Sequence, residues 1–357
     1  MRIGLIAPPW VPVPPPVYGG TEAVVDNLAR GLDRLGHDVR LFTVAESTCP
    51  VTRLYHYATA VEPMHDVALD LAHLVAAYEA LGDADVIHDH TLAGPLLATV
   101  HPPGVALAVT HHGLFGEDTR RIVAVSARRA AVIAISRAQA RSAAPVPVTA
   151  VIHHGVDLEL YAAGPGDGGY LLFVGRMSPD KGAHRAVRVA RRAGRRLVLV
   201  TKMRDRGEQD YFDHDVRPLL GPHDELLVEP ELRVRLELLR HAEALLNPIT
   251  WPEPFGLVMA EALASGTPVL TFPYGAAPEI VDHGRTGFLC ADEDEMVLAV
   301  RDIPALDRDR CRAAAEQRFS MQRMAADHDR LYRRLVARPA DPPRERAVGR
   351  LSGVLEA

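Results

Sequence analysis

The sequence has few cysteines and no long apolar stretch, and both absences narrow the class of protein. Cys49, Cys290 and Cys311 are far apart and form no C-x-x-C pair, which argues against a disulfide framework and against a structural zinc site. No apolar run approaches the roughly 18 residues of a membrane-spanning helix, and the apolar run before Pro8 is too short for a secretion signal. We therefore expect a cytoplasmic protein; attachment to a membrane surface through an amphipathic patch stays an open alternative.

The chain also lacks the positive charge that nucleic-acid binding requires. Its formal net charge is −6 at pH 7, so a sequence-independent grip on nucleic acid is not expected. A content of 48% hydrophobic and 24% charged residues is typical of globular proteins. Because single cores seldom grow beyond about 250 to 300 residues, a chain of 357 residues is expected to form two domains.

Short apolar runs alternate with helical stretches along most of the chain, which is the pattern of parallel sheets with crossover helices. A segment rich in glycine, 162–169, interrupts the alternation and is the best domain boundary. We predict an α/β fold with two doubly wound Rossmann-like domains, 1–160 and 168–319, and a loosely held tail at 338–357. The predicted strands are 3–7, 39–44, 85–90, one ending near 110, 131–136, 148–154, 171–174, 197–201, 226–229, 244–247, 269–272 and 288–290; the longer predicted helices are 64–81, 232–241, 292–303, 307–319 and 321–336.

Two carboxylates, Glu253 and Glu261, flank an apolar segment that follows a predicted strand. The residue before a proline disfavours the α region, so Glu253 is predicted to be extended and Pro254 to begin a helix. Gly256 would then leave room for a ligand at the free N–H groups of the first turn, where the helix dipole favours an anionic group. Glu261 has apolar neighbours and therefore needs partners, either the two hydroxyls of a ribose or a core arginine or histidine.

Two loops that contain glycine are candidates for phosphate binding. Gly19 and Gly20 follow a proline-rich loop and begin the next predicted helix, so their backbone N–H groups can meet a phosphate, although a glycine pair alone is more often a plain turn. After strand 171–174, a second loop carries Arg176 and Lys181. A planar guanidinium and an ammonium both suit a diphosphate; the alternative is ordinary surface charge.

Histidines follow two neighbouring predicted strands, at the edge where ligands gather in parallel sheets. His88, Asp89 and His90 end one strand, and His111 and His112 follow the next. Imidazoles and a carboxylate are suitable ligands for zinc or iron. However, alternation places His88 and His90 on the face opposite Asp89, and the adjacent His111 and His112 diverge. A metal site and a set of structural imidazoles both stay open.

The order of these motifs resembles the family 4 retaining glycosyltransferases, also described as glycosyl transferases group 1. The resemblance covers roughly residues 1–336 and implies the GT-B arrangement, in which the two domains face each other across a cleft. It also implies that helix 321–336 crosses back onto the first domain. Its motifs are Pro-Glu-Pro-Phe-Gly-Leu from Pro252, a glutamate eight residues after the first, Ser-Gly-Thr-Pro-Val from Ser265, Gly-Ala-Ala-Pro-Glu-Ile-Val from Gly275, Gly-Arg-Thr-Gly-Phe from Gly284 and Thr-x-His from Thr110.

The resemblance implies transfer of a sugar from a nucleotide diphosphosugar to an acceptor, with retention of configuration and with no metal or other cofactor. It assigns His112 and Glu253 to the donor sugar and Glu261 to the ribose. Arg176 and Lys181 are assigned to the pyrophosphate. The candidate catalytic residues are His112, Glu253, Arg176 and Lys181; the candidate donor-binding residues are Gly19, Gly20, Arg176, Lys181, Glu253, Phe255, Gly256, Leu257, Val258 and Glu261.

The chain departs from the family at Thr201 and Lys202, where relatives have a glycine pair beneath the base. The shape of the base pocket is therefore not predicted. A UDP-sugar is the favoured donor, with a GDP- or ADP-sugar as alternatives, and the acceptor is unknown. A sugar-nucleotide epimerase, a phosphorylase on the same fold, or a non-catalytic nucleotide-sugar binding protein are the alternative functions.

Overall fold

A computed structural model describes residues 1–17, 19–97 and 100–337 of the chain. Its first sheet has seven parallel strands in the order β3-β2-β1-β4-β5-β6-β7. Apolar side chains cover both faces of this sheet and form its core. The strands are β1 (Arg2–Ile6), β2 (Asp38–Thr43), β3 (Thr52–Tyr55), β4 (Val86–Asp89), β5 (Ala106–Thr110), β6 (Ala131–Ala134) and β7 (Ala150–Val151).

The second sheet has six parallel strands in the order β10-β9-β8-β11-β12-β13. In both sheets the order reverses beside the first strand of the unit, β1 or β8, which creates the crevice where α/β proteins bind ligands. The strands are β8 (Tyr170–Arg176), β9 (Arg196–Lys202), β10 (Glu225–Val228), β11 (Ala244–Asn247), β12 (Val269–Thr271) and β13 (Gly287–Leu289).

Helices connect the strands and cover the sheets. They are α1 (Gly20–Arg34), α2 (Val67–Ala80), α3 (Glu117–Ser126), α4 (Arg137–Ser142), α5 (Ala183–Arg192), α6 (Arg206–Tyr211), α7 (Leu232–His241), α8 (Leu257–Ala264), α9 (Ala277–Ile280), α10 (Glu293–Asp302), α11 (Arg308–Arg318) and α12 (Met321–Val336). Over the described ranges, none is long and apolar enough to cross a membrane.

The two parallel α/β units confirm the predicted fold class. The edge strand β3 was not predicted, because its sequence Thr-Arg-Leu-Tyr shows neither apolar alternation nor a buried run. The predicted boundaries at residues 160 and 168 stay predictions. The predicted tail at 338–357 lies outside the described residues.

The predicted start of the helix at Pro254 is wrong. Helix α8 begins at Leu257, and Gly256 caps it with φ 90°, in the left-handed region that an α-helix cannot include. The preceding residues, 252–255, therefore form a loop. This loop carries Glu253 to the end of the helix rather than along its side.

Helix α12 packs against α1, the first helix of the first domain. Gly31 of α1 allows this close approach, because a Cβ there would lie only 2.7 Å from the Cβ of Ala325. Tyr332 of α12 reaches β4, where its hydroxyl lies 2.6 Å from His88 Nδ1. The last helix thus contributes side chains to the C-terminal edge of the first sheet.

Candidate functional site

A cleft with a cavity volume of about 250 Å³ separates the start of α1 from the start of α8. Most of the predicted donor-binding residues line it, and they come from both domains. They are Gly19 and Gly20 from the first domain, and Lys181, Glu253, Gly256, Leu257, Val258 and Glu261 from the second.

Lys181 and Glu253 form an ion pair in this cleft. The Lys181 ammonium contacts Glu253 Oε2 and lies 4.6 Å from the ring centroid of Trp251, whose Nε1 donates to the same oxygen over 2.9 Å. The two charged side chains are only 15% and 14% exposed, so water screens them weakly. Sequence reasoning placed these residues on different parts of a donor, and the structure brings them into direct contact.

Glu261 is buried and accepts a hydrogen bond from a tyrosine. The hydroxyl of Tyr161 donates to Glu261 Oε1 over 2.7 Å, and Arg235 donates to the same hydroxyl over 3.3 Å. Burial and the adjacent carboxylate raise the pKa of Tyr161 well above its ordinary value, so the hydroxyl keeps its proton. Over the described ranges no other hydrogen bond to the Glu261 carboxylate is found, and the residue lines the cleft.

The opposite wall of the cleft is the start of α1. The helix begins at Gly20, with Gly19 as its N-cap in an extended conformation, so the first backbone N–H groups of α1, which have no partner within the helix, lie at the cleft. The N–H of Glu22 is hydrogen-bonded by the carboxylate of the same residue. A Cβ on Gly19 would lie 2.7 Å from Glu22 Oε2 and 2.8 Å from the Cβ of Pro15. The carboxylate could move aside but the proline ring could not, which explains why this position is a glycine. Burial raises the pKa of Glu22, while the hydrogen bond to its own backbone N–H and, less strongly, the charge of Lys202 in the second domain oppose that rise.

Three predicted residues do not line the cleft. The Arg176 side chain is 41% exposed, with its guanidinium 3.8 Å from the Asp180 carboxylate. Phe255 is buried in the core, where its ring centroid lies 5.0 Å from that of His154. His112 is half-buried and belongs to a cluster of histidines whose other members are buried. Phe255 contacts this cluster through His154.

The histidine cluster consists of His88, His90, His112, His154 and His328. His90 Nδ1 lies 2.9 Å from His112 Nε2, and the ring of His112 stacks on His154 at 5.2 Å. Burial, together with His111 and His328, lowers the pKa of His112 to about 3, so this imidazole is neutral at physiological pH. His154 and His328 were not predicted, because nothing in their local sequence shows that they meet β4 and β5.

Strand alternation operates as predicted at β4 and after β5. Asp89 faces away from the histidine cluster and accepts a hydrogen bond of 2.8 Å from the Tyr78 hydroxyl. His111 diverges from His112, with its Nε2 lying 3.1 Å from the carbonyl of Leu114. In the part of the chain that the structure describes, no three His, Cys, Asp or Glu side chains are placed to hold a metal ion.

Sequence reasoning missed Tyr161, Trp251 and Arg235, and gave no role to Lys202. A second cavity of about 20 Å³ lies at the ends of β8, β9 and β10 beside the main cleft; Lys202 lines it, and Arg235 lines both cavities. One sequence signal was available. The chain has only two lysines among 40 basic residues, and both line these cavities.

The backbone of Glu253 is held by the start of α9. Ala276 N donates to the Glu253 carbonyl over 2.9 Å. Gly275 has φ 58°, and a Cβ there would overlap the backbone N and O of Glu253. Only glycine therefore allows α9 to pack this closely against the loop.

Two family descriptions match the chain and together span most of its length. "Glycosyl transferases group 1" matches residues 163–318, and "Glycosyltransferase Family 4" matches residues 18–160. A phosphatidyl-myo-inositol mannosyltransferase of Mycolicibacterium smegmatis is 26% identical over 90% of this chain and 88% of its own. Glycogen synthase of Mycobacterium tuberculosis is 34% identical over 50% of this chain, but the match spans only 44% of the synthase.

Solved structures show the same architecture. AviGT4, a glycosyltransferase involved in avilamycin A biosynthesis, is 29% identical, with a TM-score of 0.71 over 94% of this chain and 98% of its own. The Anabaena protein HepE, solved in complex with UDP-glucose, is 21% identical, with a TM-score of 0.72 over 94% of this chain and 100% of its own. The latter likeness shows the fold alone.

The contact between Gly275 and Glu253 generates a prediction. We expect Gly275→Ala to displace the Glu253 backbone and to weaken ligand binding in the cleft by about 10-fold or more, since the overlap is with backbone atoms. Isothermal titration with UDP, GDP and ADP measures this. Gly284→Ala is the matched control, because Gly284 has φ 73° but open space at its Cβ; equal effects of both changes would contradict the explanation.

Proposed function

Because the chain belongs to the family 4 glycosyltransferases, we propose that it transfers a sugar from a nucleotide diphosphosugar to an acceptor with retention of configuration. One observation carries the proposal. A single cleft joins the amide-rich start of α1 in the first domain to Lys181, Glu253 and Glu261 in the second. This arrangement supplies positive groups for a diphosphate and carboxylates for the hydroxyls of the two sugars.

In this proposal the cleft stabilises the charge that develops on the departing nucleotide diphosphate. The Lys181 ammonium and the backbone N–H groups of the glycine-lined start of α1 supply positive charge from opposite walls. The start of α8 adds further N–H groups, because Gly256 leaves no side chain in front of them. Arg176 is assigned to the same diphosphate, and its exposed guanidinium has to turn away from Asp180 to reach it.

The carboxylates then position the two sugars of the donor. When the donor binds, its diphosphate replaces Glu253 as the partner of the Lys181 ammonium. Glu253 then accepts hydrogen bonds from hydroxyls of the transferred sugar. Glu261 accepts from a ribose hydroxyl through the oxygen to which Tyr161 does not donate. His112 is assigned to a hydroxyl of the transferred sugar; a neutral imidazole suits this task because it both donates and accepts hydrogen bonds.

We assign UDP-sugars as the donor class. The small cavity beside Lys202 and Glu229 shares Val17, Val174, Gly175 and Arg235 with the main cleft, and we place the base there. The complex of HepE with UDP-glucose shows that a protein of this fold accepts such a donor. The three cysteines are free and buried, as expected in the reducing cytoplasm, where we place the protein.

A panel of nucleotides and sugar nucleotides tests the function. UDP, GDP and ADP are first ranked by the rise in melting temperature, which follows the affinity through mass action. Labelled UDP-glucose and related donors are then incubated with pooled acceptors, and release of UDP is measured. Sugar transfer that depends on an acceptor supports the proposal; formation of an epimer from the donor alone, or tight binding without turnover, overturns it.

The role of Lys181 generates a prediction for turnover. We expect Lys181→Ala to lower kcat by about 100-fold, because the ammonium stabilises charge in the transition state. Arg188→Ala is the control, since Arg188 of α5 pairs with Glu293 of α10 outside the cleft. Near-native kcat in Lys181→Ala would remove the assignment. UDP should also protect Lys181 from an amine-reactive reagent, which has only one other lysine to modify.

The role of Glu261 generates a prediction for binding. We expect Glu261→Gln to raise the Kd for UDP by about 10-fold, which corresponds to a hydrogen bond to a charged group. Analogues of UDP that lack the ribose hydroxyls should bind the native protein more weakly than UDP does, but should bind the variant as well as UDP does. Glu231→Gln, outside the cleft at the start of α7, serves as control. An unchanged Kd for UDP would contradict the ribose assignment.

Independence from metal ions is proposed together with this mechanism, because protein cations and amides oppose the diphosphate charge. Activity should therefore persist in excess EDTA, measured as initial rates of UDP release. A complete loss that added zinc restores would overturn this proposal and favour a metal site formed by His88, His90 and His112.

A further inference from the structure

Glu279 lies in the Gly-Ala-Ala-Pro-Glu motif but has no place in the cleft. Its carboxylate crosses from the second domain to the first, where its oxygens accept from Arg137 N over 2.9 Å and from Ala138 N over 2.7 Å. His153 Nε2 lies 2.9 Å from the same carboxylate. The side chain is only 13% exposed. A glutamate of α9 therefore caps α4 of the other domain.

Helix α4 in turn holds the loop that carries His112. The side-chain amide of Gln139 donates to the carbonyls of His111 and Gly113, over 2.8 Å each, and its oxygen accepts from Ile135 N over 2.9 Å. Gln139 is 2% exposed, so all of these bonds are shielded from water. The His112 loop is thus tied on both sides of the histidine to one residue of α4.

On its other side, α9 is tied to the loop that carries Glu253. Gly275 and Ala276 pack against the Glu253 backbone, with the hydrogen bond of 2.9 Å already described. Arg318 of α11 secures the far end of α9 through a hydrogen bond of 2.9 Å to the carbonyl of Ile280. The contacts form one continuous path from Glu253 through α9 and α4 to the His112 loop.

We propose that Glu279 is a positioning residue that sets the separation of Glu253 and His112 across the domain boundary. The inference rests on the proposed function, in which these two residues contact the transferred sugar. Their loops belong to different domains, so a fixed separation requires a contact between the domains near both of them. Glu279 provides this contact: it lies four residues after Gly275, and its carboxylate accepts from Arg137 N and Ala138 N, which precede Gln139 by two residues and by one.

The chemistry of the contact suits this task. Burial alone would raise the pKa of Glu279, but the hydrogen bonds from His153 and from the amides of Arg137 and Ala138 lower the pKa below its ordinary value. The carboxylate is therefore charged at neutral pH, and it meets the positive end of α4. Hydrogen bonds to a charged acceptor are stronger than neutral ones, and two adjacent backbone donors fix direction as well as distance.

The test uses Glu279→Gln, which keeps the size of the side chain and removes its charge. We expect kcat to fall by about 10- to 100-fold, as for a small misplacement of reacting groups. The Kd for UDP should rise by much less than kcat falls, because Lys181 and Glu261 both belong to the second domain and only the N–H groups of α1 contact the diphosphate from the first. Gln139→Ala should lower kcat similarly. The double variant should be little worse than either single variant, since both break one path.

Glu295→Gln is the matched control. Glu295 also accepts from a backbone N–H near a helix start, Ala291 N over 2.6 Å, but within the second domain and away from the cleft. This variant should leave kcat unchanged. If its kcat falls as far as that of Glu279→Gln, losing a side-chain bond to a backbone N–H anywhere in the fold is enough to lower kcat, and the proposal is overturned.

A second measurement does not depend on catalysis. Spin labels at Arg121→Cys on α3 and Arg301→Cys on α10 report the distance between the domains, and the native cysteines are fully buried and do not compete. We expect Glu279→Gln to broaden or shift this distance distribution relative to the native side chain.

An unchanged distance distribution together with native kcat in Glu279→Gln overturns the proposal, as does a loss of kcat matched by an equal loss of UDP affinity. Failure of the proposed function has a different signature. In that case the native protein turns over no sugar nucleotide, and the distance measurement still decides whether Glu279 fixes the two domains.

Discussion

The site depends most directly on how the Glu253 carboxylate is held at the mouth of the cleft. Lys181 and Trp251 fix its side chain, and Gly275 and Ala276 fix its backbone. A partly buried carboxylate without such partners would cost folding free energy or take up a proton. Lys181 and Trp251 supply those partners in the structure. In the proposed function, an incoming diphosphate replaces Glu253 as the partner of Lys181, and Glu253 then becomes available to the transferred sugar.

Much of the second domain could be predicted from local pattern. All six of its strands follow from short apolar runs, because a strand buried on both faces leaves a clear signal. The start of α8 could not be predicted in this way, since a proline is compatible with the first turn of a helix. The left-handed conformation of Gly256 places Pro254 outside the helix. The edge strand β3 was missed because it is largely exposed, and an exposed edge strand does not need the apolar run that identifies a buried strand.

The histidines show where pattern reasoning ends. Alternation correctly separated His88 and His90 from Asp89, since the period of two is a local property of a strand. It could not show that His154 and His328 join them, because these residues come from a connection after β7 and from α12. His112 is half-buried and the other four histidines are buried. Their removal from water lowers the pKa of each imidazole, so the cluster is neutral at physiological pH.

The sequence by itself determined the α/β class, the two-domain organisation and the motifs that place the chain in its family, because these follow from local periodicity and from residues adjacent in the chain. Only the tertiary structure decided that Lys181 pairs with Glu253, that Tyr161 satisfies Glu261 and that Glu279 reaches α4. Each of these contacts joins residues between 72 and 142 positions apart. Their partners are chosen by how the two sheets and their connections pack, which no local pattern records.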